Sequence, residues 1–549
     1  MSSDATTFPL RDTLAGGART GQARSAPQAA RAGVGERARR DRAIGACALI
    51  VIVACSLLIV IVAADRPSLL AAVTTQRFFP GWMAGPLGGL WPSLTRSSQA
   101  LKYIFTGAIV AMYVSYLVGL RYVPRLRARW AIAAVVAAHA VLLLSPPLSL
   151  TDIFNYVNYA RMEAVHHLNP YTTIPVLEPH NDPSFALSNW HELLSPYGPI
   201  FTLMTFIVVP LGVAGSFWAL KVLLMLASLV TVALVWKCAR MLDRDPVAAI
   251  VLVGLNPIVL VWGLGGDHND FFMMVFVVLA FYLLLRARAL PGAFGQGSGG
   301  RSSAAVDGSP REGLGQREAG KSSAAVDGSP PAARPRPWMP QSPALLGVGV
   351  ALATAVAIKA SAAILVPVVL AGLLWSRRRL AEVALGIALG AIALGTVSVI
   401  VFGPHIPDLG TQGRLVTYLS LPNLLGLVLG QGGETNTLRV VLESVLVIAV
   451  GICSVMAWRR RESMTASGWA SVALLVTLSW VLPWYVLWVL PLAALSSSRR
   501  LRTTTLVVGA YLIVAWAPLT GTVLNAIDFH PEKTPLGRLH QRYVKELLY

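Results

Sequence analysis

Apolar residues come in long blocks along this chain, with no strand-like alternation. Runs of about 20 residues, the length that crosses a bilayer core as helix, recur from Ile44 to Pro518, broken by short polar or arginine-rich stretches. The pattern predicts spans over 43–64, 101–120, 130–148, 217–239, 247–265, 269–286, 343–359, 361–376, 380–402, 438–458, 467–482, 484–497 and 503–519. The expected fold is therefore an all-α polytopic membrane protein of about thirteen transmembrane helices.

Tyr197 to Gly215 is apolar enough to join them, and charge placement excludes it. Cytoplasmic loops of membrane proteins carry the excess of Lys and Arg. Arg121, Arg125, Arg127 and Arg129 mark one such loop, so helix 130–148 delivers Asp152 to the outside; Lys237, Arg240 and Arg244 mark the next. An odd number of crossings must lie between, and 217–239 is the better span. The segment 197–215, interrupted by Pro199, Pro210 and Gly212, is expected to lie along the outer face. The amino terminus is then cytoplasmic and the carboxyl terminus outside. Asp152, the 266–270 corner, the 403–437 loop and Pro483-Trp484-Tyr485 all converge on the outer side.

Composition agrees. Hydrophobic residues make up 55% of the chain and charged ones 13%, about half the charge of a soluble protein, and the mean hydropathy is +0.62. The net charge of +19 sits in clusters beside apolar runs, which excludes nucleic acid as the natural partner. Cys47, Cys55, Cys238 and Cys453 all fall within expected spans and are read as free thiols. Run 44–64 is too long and too late for a cleaved signal and is expected to persist as a signal anchor.

Residues 1–42, with eight arginines among Ala, Gly and Ser, are expected to form a disordered cytoplasmic tail. Segment 287–342 carries the nonapeptide Ser302–Pro310 again, unchanged, at Ser322–Pro330. It has no apolar face to stack, so it is expected to be a disordered cytoplasmic linker. The linker separates membrane regions 43–286 and 343–519, and an outer tail, 520–549, follows.

Candidate chemistry gathers in the outer loop 149–216 and its neighbours. If 152–159 is helical, Asp152, Tyr156 and Tyr159 share a face. A carboxylate backed by phenols suits a general base for a hydroxyl; Asp152 can equally cap the helix that follows. In Gly266-Asp267-His268-Asn269-Asp270, two acids and a histidine can hold a divalent cation or an acceptor sugar, or Asn269 and Asp270 can merely start the next helix. Lys359, between two short apolar runs, is costly to bury without a partner such as a phosphate, unless it snorkels. Arg414 is a second outer cation. Trp484, Tyr485 and Trp488 suit a lipid substrate, as does any interfacial aromatic belt. Phosphate-cradling loops, nucleophile elbows and Cys-x-x-Cys pairs are missing. No nucleotide site is visible, so activation must arrive with a lipid.

These features fall in one order: Asp152 to Tyr156, Asn169-Pro170-Tyr171, Ser195-Pro196-Tyr197-Gly198-Pro199, Asn256-Pro257, Gly266 to Asp270, Lys359, and Pro483 to Trp488. The series resembles the polytopic GT-C glycosyltransferases that use polyprenyl-phosphate sugars. It is most similar to the actinobacterial polyprenol-phosphate-mannose-dependent α-(1→6)-mannosyltransferases of lipomannan and lipoarabinomannan assembly. The resemblance covers about Ala131 to Pro518, without the linker.

It implies Asp152 as catalytic base, Lys359 on the donor phosphate, and a glycan or glycolipid acceptor held by the outer loops, with Tyr156, Tyr159 and Tyr197 in support. Ala-Ile-Lys-Ala departs from the Lys-Gly of relatives. Arabinose or glucose donors are the alternatives within the class. A transporter or lipid-linked sugar flippase is the alternative outside it, and would show paired halves with broken helices.

Overall fold

A computed structural model describes residues 25–65, 80–91, 97–148, 152–289 and 342–548, and every regular element in them is helical. The duplicated nonapeptide and residues 1–24 of the expected tail lie outside the described residues. The first helix starts at Ser25 and continues to Asp65, so it reaches back through the second half of that tail. The four cysteines are unpaired.

Among the described residues, six helices are long and apolar enough to cross a membrane: Gly35–Ala64, Gln99–Arg125, Val209–Met241, Asp270–Arg288, Arg377–Phe402 and Asn436–Arg460. A seventh arises if Arg499–Trp516 and Thr520–Ala526, bent by 74°, count as one. The other expected spans correspond to shorter helices, and at two of the breaks the local sequence gives the reason. Run 247–265 divides at Asn256-Pro257, where Asn256 Oδ1 accepts hydrogen bonds from the Ile258 and Val259 amides and a π-helical turn follows. The expected spans 343–359 and 361–376 meet at Lys359, which is extended between a helix and a 3-10 turn. Segment 197–215 holds the helix Pro199–Phe206, about 12 Å long, and the 3-10 turn Val209–Leu211, and its last residues already belong to the long helix Gly212–Met241.

Packing in the second half relies on small residues. Helix Pro343–Ile358 lies between Asp270–Ala289 and Arg377–Phe402. A Cβ at Gly349 would collide with the Val383 carbonyl oxygen, and one at Gly386 with that of Leu346. Backbones approach this closely in membranes because dispersion contacts replace the hydrophobic drive.

The helices also sort charge. Helix Asp270–Ala289 starts at the carboxylate Asp270 and ends, about 30 Å away, at Arg286 and Arg288. Arg244, Arg288 and Arg461 share a cleft at that basic end.

The segment 520–549 is not a free tail. Its last helix, Pro535–Leu548, spaces Leu536, His540, Tyr543, Val544 and Leu547 along one face. Leu547 packs with Leu193 and Leu415, and its carbonyl accepts the Glu192 amide at 3.1 Å. The helix roofs the end of the bundle that holds the candidate site.

Candidate active site

Asp152 opens helix Asp152–His166, and its side chain turns toward the 265–269 corner. His268 Nδ1 lies 3.3 Å from Asp152 Oδ2, with the carboxylate 13% exposed. The imidazole stacks on the Trp484 indole, centroids 3.4 Å apart and planes within 9°. Trp484 belongs to a buried 3-10 turn, Pro483–Trp488. Base candidate, histidine and tryptophan thus come from three separate stretches of chain. Among the neighbouring phenols, Tyr156 accepts the Asn269 amide at 3.2 Å and packs edge-on to Tyr197. Tyr159 donates to the Leu193 carbonyl at 2.7 Å. These phenols brace the loop, and only Tyr156 and Tyr197 face the cavity.

The corner's two acids are each taken by a lysine. Asp267 receives Lys221 Nζ at 2.9 and 3.1 Å, both side chains fully buried. Asp270 accepts from Lys359 Nζ at 2.7 Å and from the Trp488 indole N–H. Lys359 also sits 5.0 Å over the Tyr485 ring, a geometry that favours a desolvated cation. Neither acid is among the residues that line the cavity, whereas His268 is; among the described residues no group of three His, Cys, Asp or Glu side chains forms a metal-ligand set. Trp484, Tyr485 and Trp488 are buried, so they form an inner wall and not an interfacial belt.

A cavity of about 330 Å³ joins these groups. Asp152, Tyr156, Tyr197, His268, Lys359 and the three aromatics of 484–488 line one side; Gln412, Arg439, Glu443 and Trp480 line the other. Arg414, the other outer cation of the sequence, is exposed and is not among the residues that line the cavity. Arg439 is the inward cation. Its Nε meets the buried Glu434 at 3.1 Å, Glu434 is fixed in turn by Ser479 Oγ at 2.6 Å, and an Arg439 Nη lies 3.5 Å from the Arg414 carbonyl. The sequence reading missed both Arg439 and Lys221. A lone lysine within the apolar run 213–235 was a usable signal.

The loop under Asp152 has its own ionic core. Arg161 grips Asp182 through two nitrogens at 3.0 and 2.8 Å, joined by His166 at 2.7 Å and Ser184 at 2.6 Å. Burial would raise the Asp182 carboxyl, but these hydrogen bonds outweigh it and hold the group well below the usual carboxylate range. Nearby Glu178 is 4% exposed and neither carboxylate oxygen has a well-formed hydrogen bond. Burial, with the Asp182 charge adding to it, pushes its carboxyl up to about 8.

Residues 42–377 match the family profile described as alpha-(1->6)-mannopyranosyltransferase, N-terminal domain, and 418–529 match the MptB C-terminal domain. Over 169 residues the chain is 32% identical to Alpha-(1->6)-mannopyranosyltransferase A of Mycobacterium tuberculosis, covering 29% of this chain and 31% of that one. Over 158 residues it is 25% identical to the protein of the same name from Corynebacterium glutamicum, covering 28% and 31%. The aligned part thus spans about a third of these relatives' length. No solved structure matches.

Proposed function

The chain belongs to the MptA/MptB family of alpha-(1->6)-mannopyranosyltransferases, and from that premise we propose that it moves mannose from polyprenyl-phosphate mannose to an α-mannoside glycan or glycolipid. The acceptor hydroxyl attacks the anomeric carbon as the bond to the phosphate oxygen breaks, and Asp152 takes the hydroxyl proton. Polyprenyl phosphate leaves with one more negative charge, which Lys359 and Arg439 stabilise. One displacement inverts the centre, so a β-linked donor gives an α product. The carrying observation is a single cavity in which the Asp152 carboxylate, beside His268, shares the lining with two cations, Lys359 and Arg439, and with Glu443. Its aromatic wall at 484–488 suits the first isoprene units.

The same reading places the cavity at the outer face. Arginines gather at the far end of the helices, as cytoplasmic ends do, which puts the amino terminus inside. The bundle is read as about thirteen helices, the shorter ones completing the crossings, with Pro199–Phe206 at the outer surface.

The test uses purified protein in liposomes with polyprenyl-phosphate [14C]mannose and an α-mannoside. The expected result is an α-(1→6)-linked product and stoichiometric polyprenyl phosphate. A β linkage, or hydrolysis without transfer, would overturn the mechanism. In a cysteine-free background, a cysteine at Thr172 should label from outside and one at Arg461 only from inside; the reverse would overturn the orientation.

A further inference from the structure

We propose that the buried Lys221–Asp267 pair is a positioning device that aims His268 at Asp152; this rests on the transferase reading above. Asp267 is a non-glycine residue with φ +60°, in the left-handed region that side chains rarely adopt. It is held there by an ammonium on both carboxylate oxygens, in surroundings where each residue is at most 2% exposed. Lys221 comes from the long helix Gly212–Met241, a rigid element independent of the corner. Its Nζ also lies 3.5 Å from Ser145 Oγ, on the chain leading to Asp152. The corner is tied to that same chain by the Leu148 amide, which donates to the Gly265 carbonyl at 2.8 Å.

The next residue after Asp267 is His268. Its ring has little freedom: Trp484 covers one face, and a Cβ on Gly266 would lie 2.6 Å from Nε2. Nε2 is buried with no hydrogen-bond partner, so its single polar contact is the one from Nδ1 to Asp152. The backbone at 267 decides where the imidazole stands, and Lys221 decides the backbone at 267.

Stability alone explains the pair poorly. Buried ion pairs contribute about as much as apolar residues of equal volume, or less, because both charges lose their hydration. What the pair adds is one fixed geometry for the corner, with the asparagine-like preference of Asp267 for left-handed backbone already in place.

The experiment compares wild type with Lys221→Met/Asp267→Asn, which removes both charges and keeps both shapes. Donor and acceptor kinetics are read in liposomes. In parallel, 19F spectra of 5-fluorotryptophan protein report on Trp484, its resonance identified by loss in Trp484→Phe. The double variant should accumulate within about twofold of wild type, keep its donor KM within about twofold, and lose roughly 10- to 100-fold in kcat, with the Trp484 resonance shifted. Normal kcat with an unmoved resonance would overturn the proposal. A shifted resonance in a protein whose wild type transfers no mannose would uphold the positioning and overturn the transferase reading instead. Should the double variant not accumulate, Asp267→Asn alone carries the test, with the same expected shift and loss; normal kcat and an unmoved resonance there would equally overturn it.

Discussion

The Gly198 amide donates to the Ile358 carbonyl at 3.2 Å, one residue before Lys359. No side chain fits between them, because a Cβ at 198 would collide with the carbonyl oxygens of this turn. The loop that follows the Asp152 helix is thus fastened to the turn that carries Lys359. This backbone tie joins the stretches that carry the carboxylate and the cation, 207 residues apart in the numbering (359 − 152).

Asp152→Asn should leave accumulation and insertion intact and lower kcat by roughly 10²- to 10⁴-fold, the usual contribution of a positioned base. Initial rates with saturating donor and acceptor check this. Activity within tenfold of wild type would remove Asp152 from the base role.

Arg439→Met should lower donor turnover by about 10- to 1,000-fold, the range for one electrostatic donor in a water-poor site, whereas Arg414→Met should stay within about twofold. The comparison is made by donor titration at saturating acceptor. Equal effects of the two would mean that Arg439 serves only to neutralise Glu434.

Lys359→Met strands the Asp270 carboxylate, at about 3–5 kcal/mol for a broken buried pair, so its yield should drop. Lys359→Met/Asp270→Asn should recover the yield but not donor turnover. Measuring both variants separates folding from phosphate stabilisation. A double variant with wild-type kinetics would show that Lys359 is only structural.

Glu178 gives a pH prediction. Its carboxyl titrates at about 8 in the folded protein and near 4.3 unfolded, so folding favours the protonated form. That contribution is full below the unfolded value, declines from there, and is gone once pH exceeds the folded value. Glu178→Gln should therefore match wild type near pH 4 and be the more stable protein at pH 9, by at most ~5 kcal/mol. Thermal unfolding in detergent across that range checks the sign, and a variant less stable at pH 9 would contradict it.

Much of this site was legible because charge is scarce in the chain. Asp152, His268 and Lys359 stand out in apolar surroundings, and all three meet at one cavity. What could not be read was pairing. Asp267 and Asp270 look like a shared ligand set in sequence, and only the folded corner shows that each belongs to a different lysine. Arg414 and Arg439 are equally cationic on paper; the choice between them depends on Glu434, buried through contacts with Asn423 and Ser479. The spans were legible as apolar runs, as was the break beside Lys359, but the break at Asn256 depends on local hydrogen bonding that hydropathy does not register. The closing helix was overlooked because its apolar face has a helical period in a segment too polar to read as a span.

Each cation at the cavity keeps a carboxylate of its own: Lys359 has Asp270 and Arg439 has Glu434. Neither cation therefore needs a bound anion for neutralisation, and the protein should be purifiable free of lipid. The same arrangement limits how tightly a phosphate can be retained. Its field adds to that of a resident acid, so the spent carrier meets opposition as soon as its extra charge has developed. A centre built this way favours repeated rounds over product capture.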